Sequence, residues 1–591
     1  MSLAVDSSAP SSPDNATATT AAHSTEPAMS HRQVLEALSG LLLGMFVSIL
    51  AGTVVSTSLP RIIADLHGDQ AAFTWVVTAT LLATTVSTPI WGKFAELFNR
   101  KLLIQLSLVV FVLGSAMAGF AQDTDTLILF RVFQGLGAGG LTALSQIIMA
   151  DIISPRERGR YMGLFGAVMA LGTIGGPLIG GVITDSIGWR WNFFVGAPVA
   201  IAAIMLLQRT LHLPKLRKQK ARVDYLGAVL IAGGVSLLMI WVTMAGNQFE
   251  WMSWTSAWMV GASVLMLVAA VIVELKVDEP IIPLSLFKNR TFTLAVVASI
   301  SVGVAMFGTS VFLSQYMQLA RGATPTESGL LTLPMIIGLL ISSTVVGQLI
   351  SRYGRWKAYM VSGALLLTVG MFLMGTIEYN TDYLLVSVYM FVLGAGVGMV
   401  MQNLVLIVQN TVSPANIGTS SASVSFFRSL GGTVGVSAMG SVLGTTVLSM
   451  MTERSNDLRA ALMKLGAEGA KIAQALQSGA IPRVSELPPG VRGIIESIYG
   501  QSVADIFLVA APLAIVSLIA IAFLPNIPLG AKTTIEQLAE QKTAGVRVGE
   551  TLAEMSEGFV AQESLDDAAQ PDSASTASEA DAVGREQRAR S

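Results

Sequence analysis

Long apolar runs, interrupted at short intervals by clusters of charge, set the pattern of this chain from residue 35 to residue 524. Fourteen runs are legible: 35–58, 74–97, 102–121, 126–150, 160–184, 190–210, 225–246, 255–276, 292–318, 327–350, 357–376, 383–408, 417–450 and 503–524. At 1.5 Å per residue each can cross a hydrocarbon core of about 30 Å. In lipid every backbone group must be satisfied internally, so such runs predict helices. The expected fold class is an all-α polytopic membrane protein.

Outside the runs the pattern changes character. Residues 1–30 are rich in Ser, Thr, Ala and Pro and predict a disordered tail. That tail lacks a basic stretch followed by an apolar core, so it is not read as a secretory signal. Residues 451–500 carry mixed charge and a Leu/Ala rhythm, predicting one amphipathic helix and a turn at Pro488-Pro489. From Glu550 to Ser591 there are ten acidic and three basic residues, the composition of a disordered acidic tail.

Charge then decides sides. One set of loops holds Lys93, Arg100 and Lys101, then Arg156, Arg158 and Arg160, then six basic residues between Arg209 and Arg222, and later Lys276, Lys288, Arg290, Arg352, Arg355 and Lys357. The opposite loops hold only Arg61, Arg190 and Arg321 among Asp65, Asp69, Asp123, Asp125, Asp185, Glu250, Glu378 and Asp382. Lys and Arg stay with the cytoplasmic side, so both termini are expected to be cytoplasmic.

Composition agrees: 52% of residues are hydrophobic, 13% charged, and the mean hydropathy is +0.64. A soluble chain carries roughly 25% charge. The net charge of −2 says little about partners, because the charges are segregated by side, and no nucleic-acid partner is expected. There are no cysteines, which excludes disulfides and thiolate sites. The four histidines, His23, His31, His67 and His212, fall in loops or tails, so no metal site is expected. No GxxxxGK[ST] loop appears, no cofactor is implied, and any work must draw on a gradient or a partner.

The chain also repeats itself. GKFAELFNRK at Gly92 returns as GQLISRYGRWK at Gly347, LGAG at Leu136 returns at Leu393, and SPRERG at Ser154 returns as SPANIG at Ser413. Three markers in one order, at offsets of 255, 257 and 259, predict two six-helix bundles in parallel orientation. Runs 7 and 8 then form an inserted hairpin. The expected boundaries are 1–34 (tail), 35–210 (first bundle), 211–290 (hairpin and linkers), 291–524 (second bundle, with the external segment 451–500) and 525–591 (acidic tail).

Several motifs carry candidate chemistry. LGTIGGPLIGG places Gly172, Gly176 and Gly180 on one helix face, with Gly175 and Gly181 beside them and Pro177 expected to bend the helix. Each interior glycine costs about 1 kcal/mol relative to alanine, so close helix approach is the expected compensation. GKFAELFNRK offers Gly92, Glu96, Arg100 and Lys101 as a carboxylate and a basic pair that form a breakable latch. RVFQGLGAGG places Arg131, Gly135 and Gly139 on one face. Its GxGxxG spacing lacks the strand and acidic residue of a dinucleotide site. An intramembrane arginine is costly and should face the bundle or a wet cavity. Arg428 in FFRSLGGTVG is read as structural. Gln134, Gln146, Asn192, Gln315, Gln402, Asn403 and Gln409 either line a substrate cavity or tie helices together. Met390, Met399 and Met401 suit an adaptable pocket, or serve as filler.

Taken together these motifs resemble the major facilitator superfamily, and within it the fourteen-spanner drug:proton antiporters of the EmrB/QacA type. GKFAELFNRK resembles the loop motif between the second and third helices, RVFQGLGAGG the motif of the fourth, and LGTIGGPLIGG the antiporter motif of the fifth. AGTVVSTSLPRI resembles the first-helix signature, with Thr53, Leu59 and Pro60 matching. The position that is acidic in relatives is Ala51 here. The resemblance implies a major facilitator fold and a monomeric exporter of lipophilic compounds driven by proton antiport in the plasma membrane. Its partners are the substrate, protons and the lipid bilayer. Because Ala51 cannot titrate, the proton-coupling candidates become Arg131 and Asp505. Two alternatives stay open: an exporter of a lipid or endogenous metabolite on the same scaffold, and a non-transporting membrane sensor or scaffold.

Overall fold

The computed structural model describes residues 31–67, 70–211, 213, 224–246, 248–277, 279–477, 484, 487–534, 536–538 and 540. Of the expected tails, residues 1–30 and 541–591 lie outside the described residues. The first half comprises α1 (His31–Asp65), α2 (Gln70–Leu97), α3 (Arg100–Gly119), α4 (Thr124–Ile152), α5 (Pro155–Ser186) and α6 (Gly196–Thr210), with a short 3-10 turn at Trp189–Phe193. The hairpin is α7 (Tyr225–Met244) and α8 (Trp254–Glu274). The second half comprises α9 (Arg290–Gln315), α10 (Pro325–Leu331), α11 (Leu333–Tyr353), α12 (Lys357–Met374), α13 (Tyr383–Thr411) and α14 (Ile417–Glu453), then short α15 (Ser455–Met463) and α16 (Ala467–Gln477), and α17 (Pro489–Ala522).

Local chemistry explains the starts. Asn99, Asp123, Asp224, Ser253, Asn289 and Asp382 cap α3, α4, α7, α8, α9 and α13 by accepting first-turn amides. The Thr126 amide and hydroxyl on Asp123 hold its carboxyl below the usual range. Gly354, at φ +68°, ends α11 in the left-handed conformation that glycine tolerates.

Among the described residues, twelve helices are long and apolar enough to cross a membrane. At the two remaining expected positions stand α2 and α5, of 28 and 32 residues, and threonines dilute the apolar character of α2. Four boundaries depart from the sequence expectation. His31 opens α1, so that helix starts inside the stretch assigned to the N-terminal tail. Run 10 is two helices, α10 and α11, with a break at Thr332 after a Thr324–Glu327 capping box. Among its described residues the 451–500 segment holds two short helices, and α17 already starts at Pro489, where proline suits a first turn. Finally, residues 525–534 lie against the body of the protein and are no part of a free tail.

Packing reproduces the internal repeat. In the first half α1 lies on α5 and α6, α2 on α4, and α3 on α4 and α6. In the second α9 lies on α14 and α17, α11 on α13, and α12 on α13 and α17. Each half thus has its own core, around Leu108, Phe111, Leu141 and Leu144 in one and Leu313, Leu367, Leu393 and Phe507 in the other. The halves meet along two equivalent seams, α2 with α14 and α5 with α11. The hairpin covers the first seam, with α7 resting on both α2 and α14.

Candidate functional site

The loops bearing Arg100, Arg156 and Arg355 define one face of the molecule, the basic face, and the α2–α14 seam closes there. Gly92 sits so close to α14 that a Cβ on it would lie 2.3 Å from the Ala422 Cβ. One turn further, Glu96 reaches across the seam. Its Oε1 accepts from both the amide and the hydroxyl of Thr419, each at 2.8 Å, in the first turn of α14. The dipole of that helix end favours the carboxylate. Lys93 stands 3.7 Å from the other Glu96 oxygen and donates to Glu279 at 2.7 Å.

The basic pair expected beside Glu96 is placed elsewhere. Arg100 forms a buried ion pair with Asp151 at the end of α4 and donates to the Ala95 carbonyl. Lys101 turns outward to the Gln208 carbonyl of α6. The cause is helical geometry: Arg100 and Lys101 open α3, whose first turn faces α4 and α6. Of the expected latch set, only Gly92 and Glu96 touch the other half.

A second polar layer lies deeper on the same side. Arg158 donates to Gln409 of α13 while holding the Ile153 and Ala150 carbonyls at 2.9 and 3.1 Å. Gln409 in turn donates to Ser421 at 2.8 Å, and Gln146 accepts from Ser425 at 3.2 Å. Sequence reasoning missed Arg158 and Thr419 as groups that link the halves, and Asp151 as the partner of Arg100. The available signal was the duplicated SPRERG and SPANIG strings, which put Arg158 and Thr419 at corresponding helix starts.

Arg131 is buried two turns into α4. It donates to Gln134 at 2.5 Å and to the Val76 carbonyl of α2 at 3.4 Å. Gly135 and Gly139 face α2 as well, against the Thr80 carbonyl and Ser87. Arg131 therefore sits in the α2–α4 seam of its own half, and Gln134 Nε2 remains buried without a partner. Arg428 is likewise buried within the second half, near the Met401 carbonyl and Ser425, both at 3.4 Å.

The remaining amides divide. Asn192 ties α1, α5 and the 3-10 turn together, donating to Ser58 and Thr184 at 2.6 and 2.7 Å. Asn403 donates back to Met399, and its Oδ1 is unpartnered. Gln315 sits where α9 gives way to a π turn at Tyr316–Ala320, with its Oε1 unpartnered. Gln402, one residue from Asn403, is half-buried, while Met390, Met399 and Met401 are buried in the second core. Asp505 lies at the midpoint of α17, because that helix starts earlier than expected, yet the apolar part begins only at Val503. Its partner is Gln501, one turn away at 3.2 Å. Among the described residues no three His, Asp or Glu side chains could hold a metal ion.

The glycines of α5 serve the α1 seam. Gly172 lies on Ile49, Gly176 on Thr53 and Gly180 on the Val54 backbone, while the Thr53 hydroxyl donates to the Gly172 carbonyl at 2.9 Å. Gly175 and Gly181 point away from this contact. Pro177 lies in α5, but its side chain is outside the described residues. Further along, Gly163 and Gly166 of the same helix meet Thr344 and Ser343 of α11. One helix thus binds its own half on one stretch and the opposite half on another.

The family model described as Major Facilitator Superfamily matches residues 41–436, and the chain belongs to this superfamily. It is 34% identical over 417 residues to multidrug transporter protein MdtP of Bacillus subtilis, covering 71% of this chain and 76% of that protein. Multidrug resistance protein 3 of Bacillus subtilis is 30% identical over 504 residues, covering 84% of this chain and 96% of that one. The efflux pump dotC of Dothistroma septosporum is 30% identical over 508 residues, 85% of each chain. Among solved structures, the human organic anion transporter MFSD10 superposes with a TM-score of 0.53 at 14% identity, over 81% of this chain and 99% of that one. The proton:xylose symporter XylE does so with 0.52 at 15% identity, over 86% and 99%. These two similarities concern the fold alone. The chain is a multi-pass membrane transporter related to multidrug efflux pumps, and not an enzyme.

Proposed function

We propose that this transporter exports lipophilic compounds, cationic or neutral, across the plasma membrane in exchange for protons. It works as a monomer, with its basic face and both termini in the cytoplasm and fourteen crossings of the bilayer. The observation that carries the reading is the construction of the seams. Each half keeps its own packed core, and at the basic face a thin layer of polar contacts, Glu96 to Thr419, Arg158 to Gln409 and Gln146 to Ser425, joins them. Such a layer can break and reform without dismantling either core, as alternating access requires. In this reading Gly92 and Glu96 serve as the latch. The relatives named as multidrug transporters and efflux pumps support the direction and the substrate class.

The test is retention of an ethidium-like dye in cells with and without the protein. Cells bearing it should retain less dye, and an uncoupler should restore retention. Unchanged retention would overturn the export reading. Export that ignores the uncoupler would remove protons from it.

A further inference from the structure

The notable charged cluster outside the seams lies under the basic-face end of the α7–α8 hairpin. Asp224, the cap of α7, is 7% exposed and spends Oδ1 on the Gly227 amide at 2.8 Å. Its Oδ2 is buried and has no hydrogen-bond partner. Facing it is Glu274, the last residue of α8 and 6% exposed, whose two oxygens accept from the Ile281 and Ile282 amides at 3.2 Å each. A Cβ built on Gly227 would lie 2.2 Å from Asp224 Oδ2 and 3.0 Å from Glu274 Oε1. Both oxygens therefore crowd the one space that glycine leaves open.

Among the described residues, little positive charge is left over for the pair. Lys93 of α2 faces it, but that ammonium already serves Glu279 at 2.7 Å and Glu96 at 3.7 Å. Arg100 of α3 is engaged by Asp151. The α14 side of the hairpin offers the rings of Phe426 and Phe427. Among the described residues, the lysine that faces the pair is thus shared with Glu279 and Glu96. A buried carboxylate oxygen with no donor, beside a second carboxylate, is strongly disfavoured unless a proton is bound.

We infer that Asp224 and Glu274 together bind one proton, and that its occupancy sets the Glu96–Thr419 contact between the halves. The mechanical line is continuous. Glu274 holds the Ile281 and Ile282 amides, the same short loop carries Glu279, Glu279 holds Lys93, and Lys93 neutralises Glu96. With the proton bound, Asp224 Oδ2 becomes a donor, the loop stays docked and Lys93 stays with Glu96. When the proton leaves to the solvent at the basic face, two carboxylates repel and the extra negative charge draws Lys93 away. Glu96 is then a buried carboxylate without its nearest cation, and the contact across the seam opens. Resting on the proton-antiport reading, this supplies the titratable site that Ala51 does not, and an alkaline cytoplasm would open the transporter inward.

Two measurements on the full chain test it. The protein has no native cysteine, so Arg160→Cys and Arg355→Cys allow spin labels on the two halves of the basic face. In the otherwise unaltered protein the distance distribution should lengthen from mildly acidic to alkaline pH. Asp224→Asn keeps the acceptor for Gly227 and supplies a permanent donor, so its distribution should stay short at every pH. Glu274→Gln should behave alike and serves if Asp224→Asn does not fold. Infrared difference spectra over the same range should show the band of a buried protonated carboxyl, lost in both variants. A pH-independent distance in the unaltered protein, a band that survives both variants, or variants that open with pH as before would each overturn the inference. These readouts need no transported substrate, so a failed dye assay and a missing band refute different claims.

Discussion

At the residue scale the glycines of α5 separate contact from mere composition. Their spacing of four is readable in the sequence, and spacing alone assigns Gly172, Gly176 and Gly180 to one face. The neighbour on that face is not readable, because it lies more than a hundred residues away in α1. A Cβ on Gly176 would come within 2.0 Å of the Thr53 Oγ1, whereas the nearest atom to one on Gly175 is at 3.8 Å and one on Gly181 meets nothing within 4 Å. Gly176→Ala should therefore destabilise the protein by about 1–3 kcal/mol through overpacking. Gly175→Ala and Gly181→Ala should be neutral or gain up to about 1 kcal/mol of helix propensity. Thermal unfolding in detergent, read beside dye efflux, distinguishes them; equal behaviour of the Gly175 and Gly176 variants would refute the α1 contact.

At the element scale, regular features were legible and irregular ones were not. Run lengths place the crossings because each helix must span the same hydrocarbon thickness. The break at Thr332 escaped notice, since Leu331 and Leu333 continue the apolar run on either side of it. The start of α17 at Pro489 escaped for the opposite reason, as its first turns are too polar to read as membrane. The partner of Glu96 depends on how α2 meets α14, and a motif within one element cannot disclose it. That pairing is testable at both ends. Thr419→Val removes the hydroxyl donor and keeps the amide, while Glu96→Gln removes the charge. Hydrogen bonds to charged groups contribute about 1.5–3 kcal/mol, enough to move a two-state equilibrium roughly tenfold or more toward opening of the basic face. Both variants should retain substrate binding in detergent but lose turnover. Lost binding with normal opening, followed by distances across that face, would contradict the latch role.

At the scale of the whole molecule the duplication is only approximate, and its departures fall where the halves touch. Glu96 of the first copy corresponds to Ser351 of the second, and Arg158 to Ile417, so the two equivalent seams carry different chemistry. The segment after α17 adds a further asymmetry, since it crosses from one half to the other. Trp356 donates to the Ile527 carbonyl at 2.7 Å, and Asn410 exchanges bonds with Pro528 and Gly530 at 3.0 and 2.8 Å, all within the second half. The Gly530 carbonyl then accepts from the Arg156 amide at 3.2 Å, and Thr534 donates to the Ala150 carbonyl at 2.8 Å, both in the first half. A segment bonded to both halves resists their separation. Ending the chain after Asn526 should therefore favour the state open at the basic face, whereas ending it after Glu540 should leave the equilibrium unchanged. Each net hydrogen bond lost contributes about 1 kcal/mol, or roughly fivefold in population. A cysteine at Gln146, in the buried layer between the halves, reports this through its rate of maleimide labelling. Labelling should quicken at least several-fold in the shorter chain and not in the longer one. Equal rates in both would mean that the segment follows the movement of the halves without restraining it.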